Sequence, residues 1–147
     1  GLYDVNVGWV VGDAEVVARV STVQDHTNVV AHPNLEMARR ALNHTETFQK
    51  ESREMLRTKN QLLSSFVQDR PDLSGMVHED HIFAFLRHDS LNGRTVADMA
   101  HRTGVGVFPG DFFGDSARFR VSLGYGISEC EEGLERLGEA LDEPLTR

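Results

Sequence analysis

From Ala117 to Leu123 the chain alternates: Ala117, Phe119, Val121 and Leu123 are separated by Arg118, Arg120 and Ser122. Period-two alternation places the two sets on opposite faces of a strand. One face can bury; the other carries two guanidiniums, the groups best shaped to hold a carboxylate by two parallel hydrogen bonds. Upstream, Val105 to Phe108 reads as a second strand, broken by Pro109-Gly110. A fold that accepts this segment must bury one face of a short sheet and leave a basic stripe on the other.

The rest of the chain is mixed helix and strand. Val7 to Val11 reads as a short apolar strand ended by Gly12. Asp13 then suits the N-cap of a helix from Ala14 to about Gln24, with Val16, Val17 and Val20 inward. Asp25 to Asn28 reads as a polar loop, and Pro33 suits the first turn of a helix carrying Leu35, Ala38 and Leu42 on one face. A longer helix is predicted from Glu46 to Gln68, with Phe48, Met55 and Leu62 recurring along a stripe flanked by Leu56, Leu63 and Phe66. Asp69 to Asp72 stops it. Strands are predicted at Met76-Val77 and Ile82 to Leu86. Thr95 to Asp98 reads as a capping box opening a helix closed by Gly104, and Ser128 to Glu131 as another, opening a helix with Cys130, Leu134, Leu137 and Leu141 on one face.

Composition excludes several classes. A net charge of −8 without a basic patch argues against nucleic acid. No apolar run approaches the roughly 18 residues of a membrane span. One cysteine, Cys130, excludes an internal disulfide and fits a reducing, cytoplasmic setting. Only two of the 15 basic residues are lysines, Lys50 and Lys59. That bias is what a GC-rich genome or a salt-adapted proteome produces, and it carries no chemistry. Both lysines fall on the long helix, away from any glycine-rich or strand-end site, so neither reads as a Schiff-base lysine. His78-Glu79-Asp80-His81 lacks the spacing of a helical zinc motif and reads as a solvated turn, so no metal site is assigned. No G-x-S-x-G elbow occurs, and the glycines at 104, 106, 110 and 114 fit no phosphate-binding fingerprint.

Gly104-Val105-Gly106-Val107-Phe108-Pro109-Gly110, then Phe113-Gly114, then Arg120-Val121-Ser122 resemble the C-terminal signature of the class I/II aminotransferases, which use pyridoxal 5'-phosphate (PLP) on fold type I. The opening Gly1-Leu2-Tyr3-Asp4-Val5-Asn6-Val7-Gly8-Trp9 resembles the family segment that follows the Schiff-base lysine. The resemblance extends over essentially the whole chain. It implies an α/β fold: the C-terminal part of a PLP-dependent aminotransferase, comprising the end of the large domain, a long linking helix and a small α/β domain. Residues 1–32 would be the tail of the large cofactor-binding domain, and 33–147 the linking helices and small domain, with the boundary near Pro33 to Thr45. It also implies that the chain is the back portion of a longer polypeptide, with the Schiff-base lysine about three residues before Gly1.

By the same resemblance, Arg120 grips the substrate α-carboxylate, while Arg118 reads as structural. Tyr3 and Asn6 lie beside the cofactor, and Thr27 and Asn28 align with a loop that reaches the neighbouring subunit's cofactor phosphate. Asn6 departs from the family, which has a phosphate-binding arginine there; a neutral donor makes a weaker bond than a charged one. The implied activity is transfer of an amino group between an L-amino acid and a 2-oxo acid by a homodimer. Another PLP reaction on this fold, such as a β-lyase or cyclase, shares these residues. So does the non-catalytic aminotransferase-like effector domain of a transcription regulator.

Overall fold

The computed structural model describes residues 5–27 and 30–144, the side chains of Asp25 and Thr27 excepted. Contacts within the chain divide it into two units, Gly1–Ser52 and Arg53–Arg147.

The first unit is helical. Helix α1 spans Ala14–Thr27 and α2 spans His32–Asn43. Asp13 Oδ1 accepts the Glu15 amide at 2.9 Å, as expected of the residue opening α1. Pro33 sits in the first turn of α2, where its missing N–H has no helical partner to lose. The predicted strand Val7 to Val11 is not formed. Its amides and carbonyls need a neighbouring strand, and none of the described residues supplies one. The predicted loop at Asp25 to Thr27 is instead the last part of α1. Val16 and Val20, expected inward, are exposed, as are Trp9, Val10, Val11 and Val23. Their pattern is that of a face made to pack, but none of the described residues of this unit covers it.

Helix α3, Thr45–Gln68, crosses from the first unit into the second. The residues it buries are Leu56, Lys59, Asn60 and Leu63. The flanking row is therefore the core row; Phe48 and Met55 of the expected stripe are exposed.

The second unit is a four-stranded antiparallel sheet in the order β1-β2-β4-β3: Leu73–Ser74, Phe83–His88, Phe108–Pro109 and Arg118–Ser122 for β1 to β4. Helix α4 spans Gly93–Arg102 and α5 spans Ile127–Asp142. Ala84 and Leu86 of β2, with Phe119 and Val121 of β4, form one core with Leu63 of α3, Val96 and Ala100 of α4, and Cys130, Leu134, Leu137 and Leu141 of α5. The helices thus cover one face of the sheet. Burying a Leu, Val or Phe side chain contributes about 1.5–3 kcal/mol, so this interdigitated layer is the main stabilising term.

Local signals differ from expectation at four points. The strand expected from Val105 to Phe108 is only Phe108–Pro109, with Pro109 paired to Phe119 rather than breaking it. The first strand is Leu73–Ser74 rather than Met76-Val77. Helix α4 begins two residues before Thr95, capped by Asn92, whose Oδ1 accepts the Thr95 amide at 2.9 Å. Helix α5 begins at Ile127 after Gly126, with no side-chain cap. In both helices a nearby turn residue took the cap position ahead of the Ser or Thr.

Two buried polar groups of α3 tie the helix to the sheet. Lys59, 2% exposed, donates from Nζ to the carbonyls of Leu123, at 3.1 Å, and Tyr125. Asn60 Nδ2 donates to the carbonyls of Glu79 and His81 at 2.9 and 3.1 Å. His78 and His81 stack at 4.4 Å across that turn. Among the described residues no three potential metal ligands gather.

A polar cluster closes the other end. Arg70 Nη2 lies 3.0 Å from Asp72 Oδ2 and 2.7 Å from Asp142 Oδ1, and His88 Nε2 lies 3.1 Å from Asp72 Oδ2. His88 Nδ1 accepts the amides of Ser90 and Leu91, which assigns the ring proton to Nε2, facing the carboxylate. Burial alone would raise the Asp72 pKa, but the Arg70 hydrogen bond and the Arg70 charge outweigh it and hold the carboxyl below its usual 3.8. A carboxylate with a depressed folded pKa stabilises fully above its ordinary value, and this is lost as pH falls through the folded one. Asp72→Asn should therefore lower stability by about 1 kcal/mol at neutral pH. The gap from the parent should close as acid denaturation is followed below pH 3.8. A gap independent of pH would show that the charge of Asp72 is not what stabilises.

Candidate functional site

Two strands and a turn build the site. On β4 the buried residues are Phe119 and Val121, so Arg118, Arg120 and Ser122 lie on the face away from the helices. In register, Arg120 is opposite Phe85 of β2 and Phe108 of β3, and Ser122 is opposite Phe83. The turn Gly110–Phe113 is a single 3₁₀ segment after Pro109, closed by Gly114 in the left-handed conformation. Arg94 of α4 pins it through Nη2 to Asp111 Oδ2 at 2.9 Å.

This turn is packed backbone to backbone. A Cβ on Gly110 would lie 2.0 Å from the Asp115 carbonyl oxygen and 2.5 Å from that of Arg118. One on Gly93, at the start of α4, would lie 1.7 Å from the same Arg118 oxygen. Glycine at both positions lets the helix start and the turn close on β4 together. This accounts physically for Gly110 in the sequence signature.

The two arginines of the face differ. Arg118 is bound into the structure: Nε donates to Asp115 Oδ2 at 3.1 Å and Nη1 to the Phe85 carbonyl at 3.3 Å. Arg120 has no carboxylate partner among the described residues. Its Cζ instead lies 4.5 Å from the ring centroid of Phe83 and 4.6 Å from those of Phe108 and Phe113. Its Nε is buried without a hydrogen-bond partner, and its terminal nitrogens make no hydrogen bond to the described residues. A guanidinium on an aromatic face gains about 0.5–2 kcal/mol depending on desolvation. The rings hold the cation without neutralising it, and its unused donors suit an incoming anion.

The ring set was not anticipated from sequence. Phe83 and Phe85 alternate with the buried Ala84 and Leu86, as Arg118 and Arg120 alternate with Phe119 and Val121. The matching alternations put phenyl and guanidinium rows side by side once the strands pair.

The cofactor-side candidates lie in the first unit. Asn6 is exposed and lines a recess of about 980 Å³ with Trp9, Val16, Arg19 and Val20. That recess also presents the basic Arg19 that Asn6 itself does not supply. Tyr3 and Asn28 lie outside the described residues, as does the side chain of Thr27. Cys130 is buried, and burial pushes its thiol pKa up; its Sγ sits 3.9 Å from the Tyr125 carbonyl.

Several solved structures share this fold. The chain superposes on the kynurenine aminotransferase of Pyrococcus horikoshii, solved in complex with PMP, with a TM-score of 0.81, 19% identity, 98% of this chain and 38% of that one. A PLP-dependent aminotransferase from Streptococcus suis gives 0.79, 20%, 93% and 38%. Cystalysin from Treponema denticola, which contains pyridoxal 5'-phosphate, gives 0.75, 14%, 90% and 36%. The fold is thus the α/β fold of the PLP-dependent aminotransferases, of which this chain spans well under half. Curated proteins give no significant sequence match. The family model for aminotransferase class I and II matches residues 1–137, and the chain belongs to that family.

The described residues fit a carboxylate ligand better than they fit the cofactor. Lys59 is held by two carbonyls in the core, Lys50 is exposed on α3, and Asn6 is uncharged.

The close approach at the turn makes a direct prediction. Gly110→Ala should destabilise the chain by about 3 kcal/mol, because backbone rather than a flexible side chain must move. The urea unfolding midpoint measures it; a loss below about 0.5 kcal/mol would mean that β4 and the turn are not in this contact.

Proposed function

We propose that this chain is the C-terminal portion of a PLP-dependent aminotransferase that transfers an amino group between an L-amino acid and a 2-oxo acid, with Arg120 gripping the substrate α-carboxylate. The observation that carries the reading is the Arg120 guanidinium itself: on the open face of β4, held by rings, with unpartnered donors. Its place after the Pro109-Gly110 turn and before Val121-Ser122 supports the same assignment. Arg120 binds and orients the carboxylate, and the phenyl rings keep water from its flanks. Arg118, paired with Asp115, keeps the turn against the strand.

PLP, when bound in the intact enzyme, supplies the electron sink for chemistry at the amino-bearing carbon. On this reading Tyr3, Asn6, Thr27 and Asn28 are cofactor-side contacts, residues 1–32 belong to the large domain and 33–147 to the linking helices and small domain. The enzyme works as a homodimer, the usual symmetric assembly. The likeness to cystalysin keeps a second reading, other PLP chemistry on the same fold. Equal consumption of amino acid and 2-oxo acid distinguishes transamination from it.

Two outcomes test the proposal. The 147-residue chain alone, mixed with PLP, should give no stoichiometric borohydride-trapped adduct at Lys50 or Lys59 and no turnover, since covalent catalysis needs an amine held in the cofactor site. A trapped adduct with turnover would overturn this. In the intact enzyme, Arg120→Ala should weaken amino-acid and 2-oxo-acid binding by about a hundredfold or more while leaving PLP affinity near the parent's. A bond to a charged group contributes about 1.5–3 kcal/mol, and a two-pronged clamp reaches the top of that range. Arg120→Lys should rescue only in part, because a point charge lacks the planar fork. Substrate affinity within about threefold of the parent in Arg120→Ala would remove the assignment.

A further inference from the structure

We infer that Phe83, Phe108 and Phe113 are positioning residues that sheathe the Nε side of Arg120, so that a carboxylate is taken only on the terminal edge, by Nη1 and Nη2. The inference rests on the proposed role of Arg120 as the carboxylate-binding group, and adds how that group is aimed.

The geometry carries it. A planar guanidinium has two faces, yet three ring centroids lie between 4.5 and 4.6 Å from its Cζ. Two stacked rings are enough to cover both faces, which leaves the third to shield an edge. The covered edge is identified by the buried, unpartnered Nε. A buried donor without a partner is unfavourable unless something offsets it, and here the surrounding π faces do so. A side-on approach through Nε and one Nη is closed to an anion. The terminal nitrogens, with no partner among the described residues, remain.

The three rings come from three elements: Phe83 from β2, Phe108 from β3 and Phe113 from the 3₁₀ turn. They are 43%, 48% and 47% exposed, so none is a core residue whose main task is to fill the interior. Phe113 also meets Phe85 edge to face at 5.9 Å, which braces its ring over the strand. A long, flexible arginine is thereby restricted before the ligand arrives, and restriction in advance is what improves affinity without adding a contact. The role is distinct from that of Arg118, which is held by a carboxylate and a carbonyl.

The test uses the 147-residue chain with ¹⁵N-labelled arginine, following the Arg120 side-chain NMR signals during titration with sodium acetate, with sodium chloride at matched ionic strength as control. In the parent, the Arg120 Nε–H should be shifted by the rings and exchange with water at least about tenfold more slowly than in an exposed arginine such as Arg57. Acetate should move the Nη signals more than the Nε–H signal. Phe113→Leu and Phe108→Leu should each speed Nε–H exchange and weaken acetate binding about fivefold, with the thermal midpoint nearly unchanged. Phe113→Tyr, which keeps a ring, should restore parent behaviour and guards against a variant that fails to fold. Parent-like acetate affinity and exchange in both Leu variants would overturn the inference while leaving Arg120 as the carboxylate group. Slow exchange in the parent with no acetate response at Arg120 would overturn the underlying role instead. A larger shift at Nε–H than at Nη would show side-on binding and overturn the sheathing.

Discussion

Burial of Phe119 and Val121 beneath α4 and α5 fixes every other orientation on β4. Because side chains alternate along a strand, sealing one face dictates that Arg118 and Arg120 stand on the other. A slip of one register position would expose Phe119 and drive both guanidiniums into the core, at a cost far above the few kcal/mol that hold a domain together. The position of Arg120 is thus set by the residues beside it, and its own polar contacts do not have to place it.

The chain handles its sequestered cations in two ways. Lys59 is a compact charge with three donors, and it is anchored by backbone carbonyls at the end of β4. Arg120 is planar and weakly hydrated, and it is lodged among phenyl rings. The first arrangement uses donors up, and is structural. The second leaves donors available. Neither group could take the other's place, since an ammonium has no flat face to stack and a guanidinium is too broad for the pair of carbonyls.

Much of this was legible in the residue order. The alternation of Ala117 to Leu123 and the inward face of α5 at Cys130, Leu134, Leu137 and Leu141 follow from local periodicity, and they agree with the structure. The misreadings have a shared cause. Val7 to Val11 has a strand's composition, but a strand exists only when paired. The stripe on α3 was displaced by one residue because the choice between two adjacent apolar rows depends on where the sheet lies, as the burial of Lys59 and Asn60 shows. The rings around Arg120 are separated in sequence by the whole of α4, so only strand register could bring them together.

The chain is acidic as a whole, with a net charge of −8, yet on one sheet face the balance is reversed. A charge compensated by a carboxylate, such as that of Arg118, has little reach beyond its partner. A charge lodged against π faces keeps its sign outward, with low-dielectric walls that concentrate the field. The open face of β4 is therefore a local positive well in a negative envelope. Small anions are drawn toward it from a distance of about a Debye length.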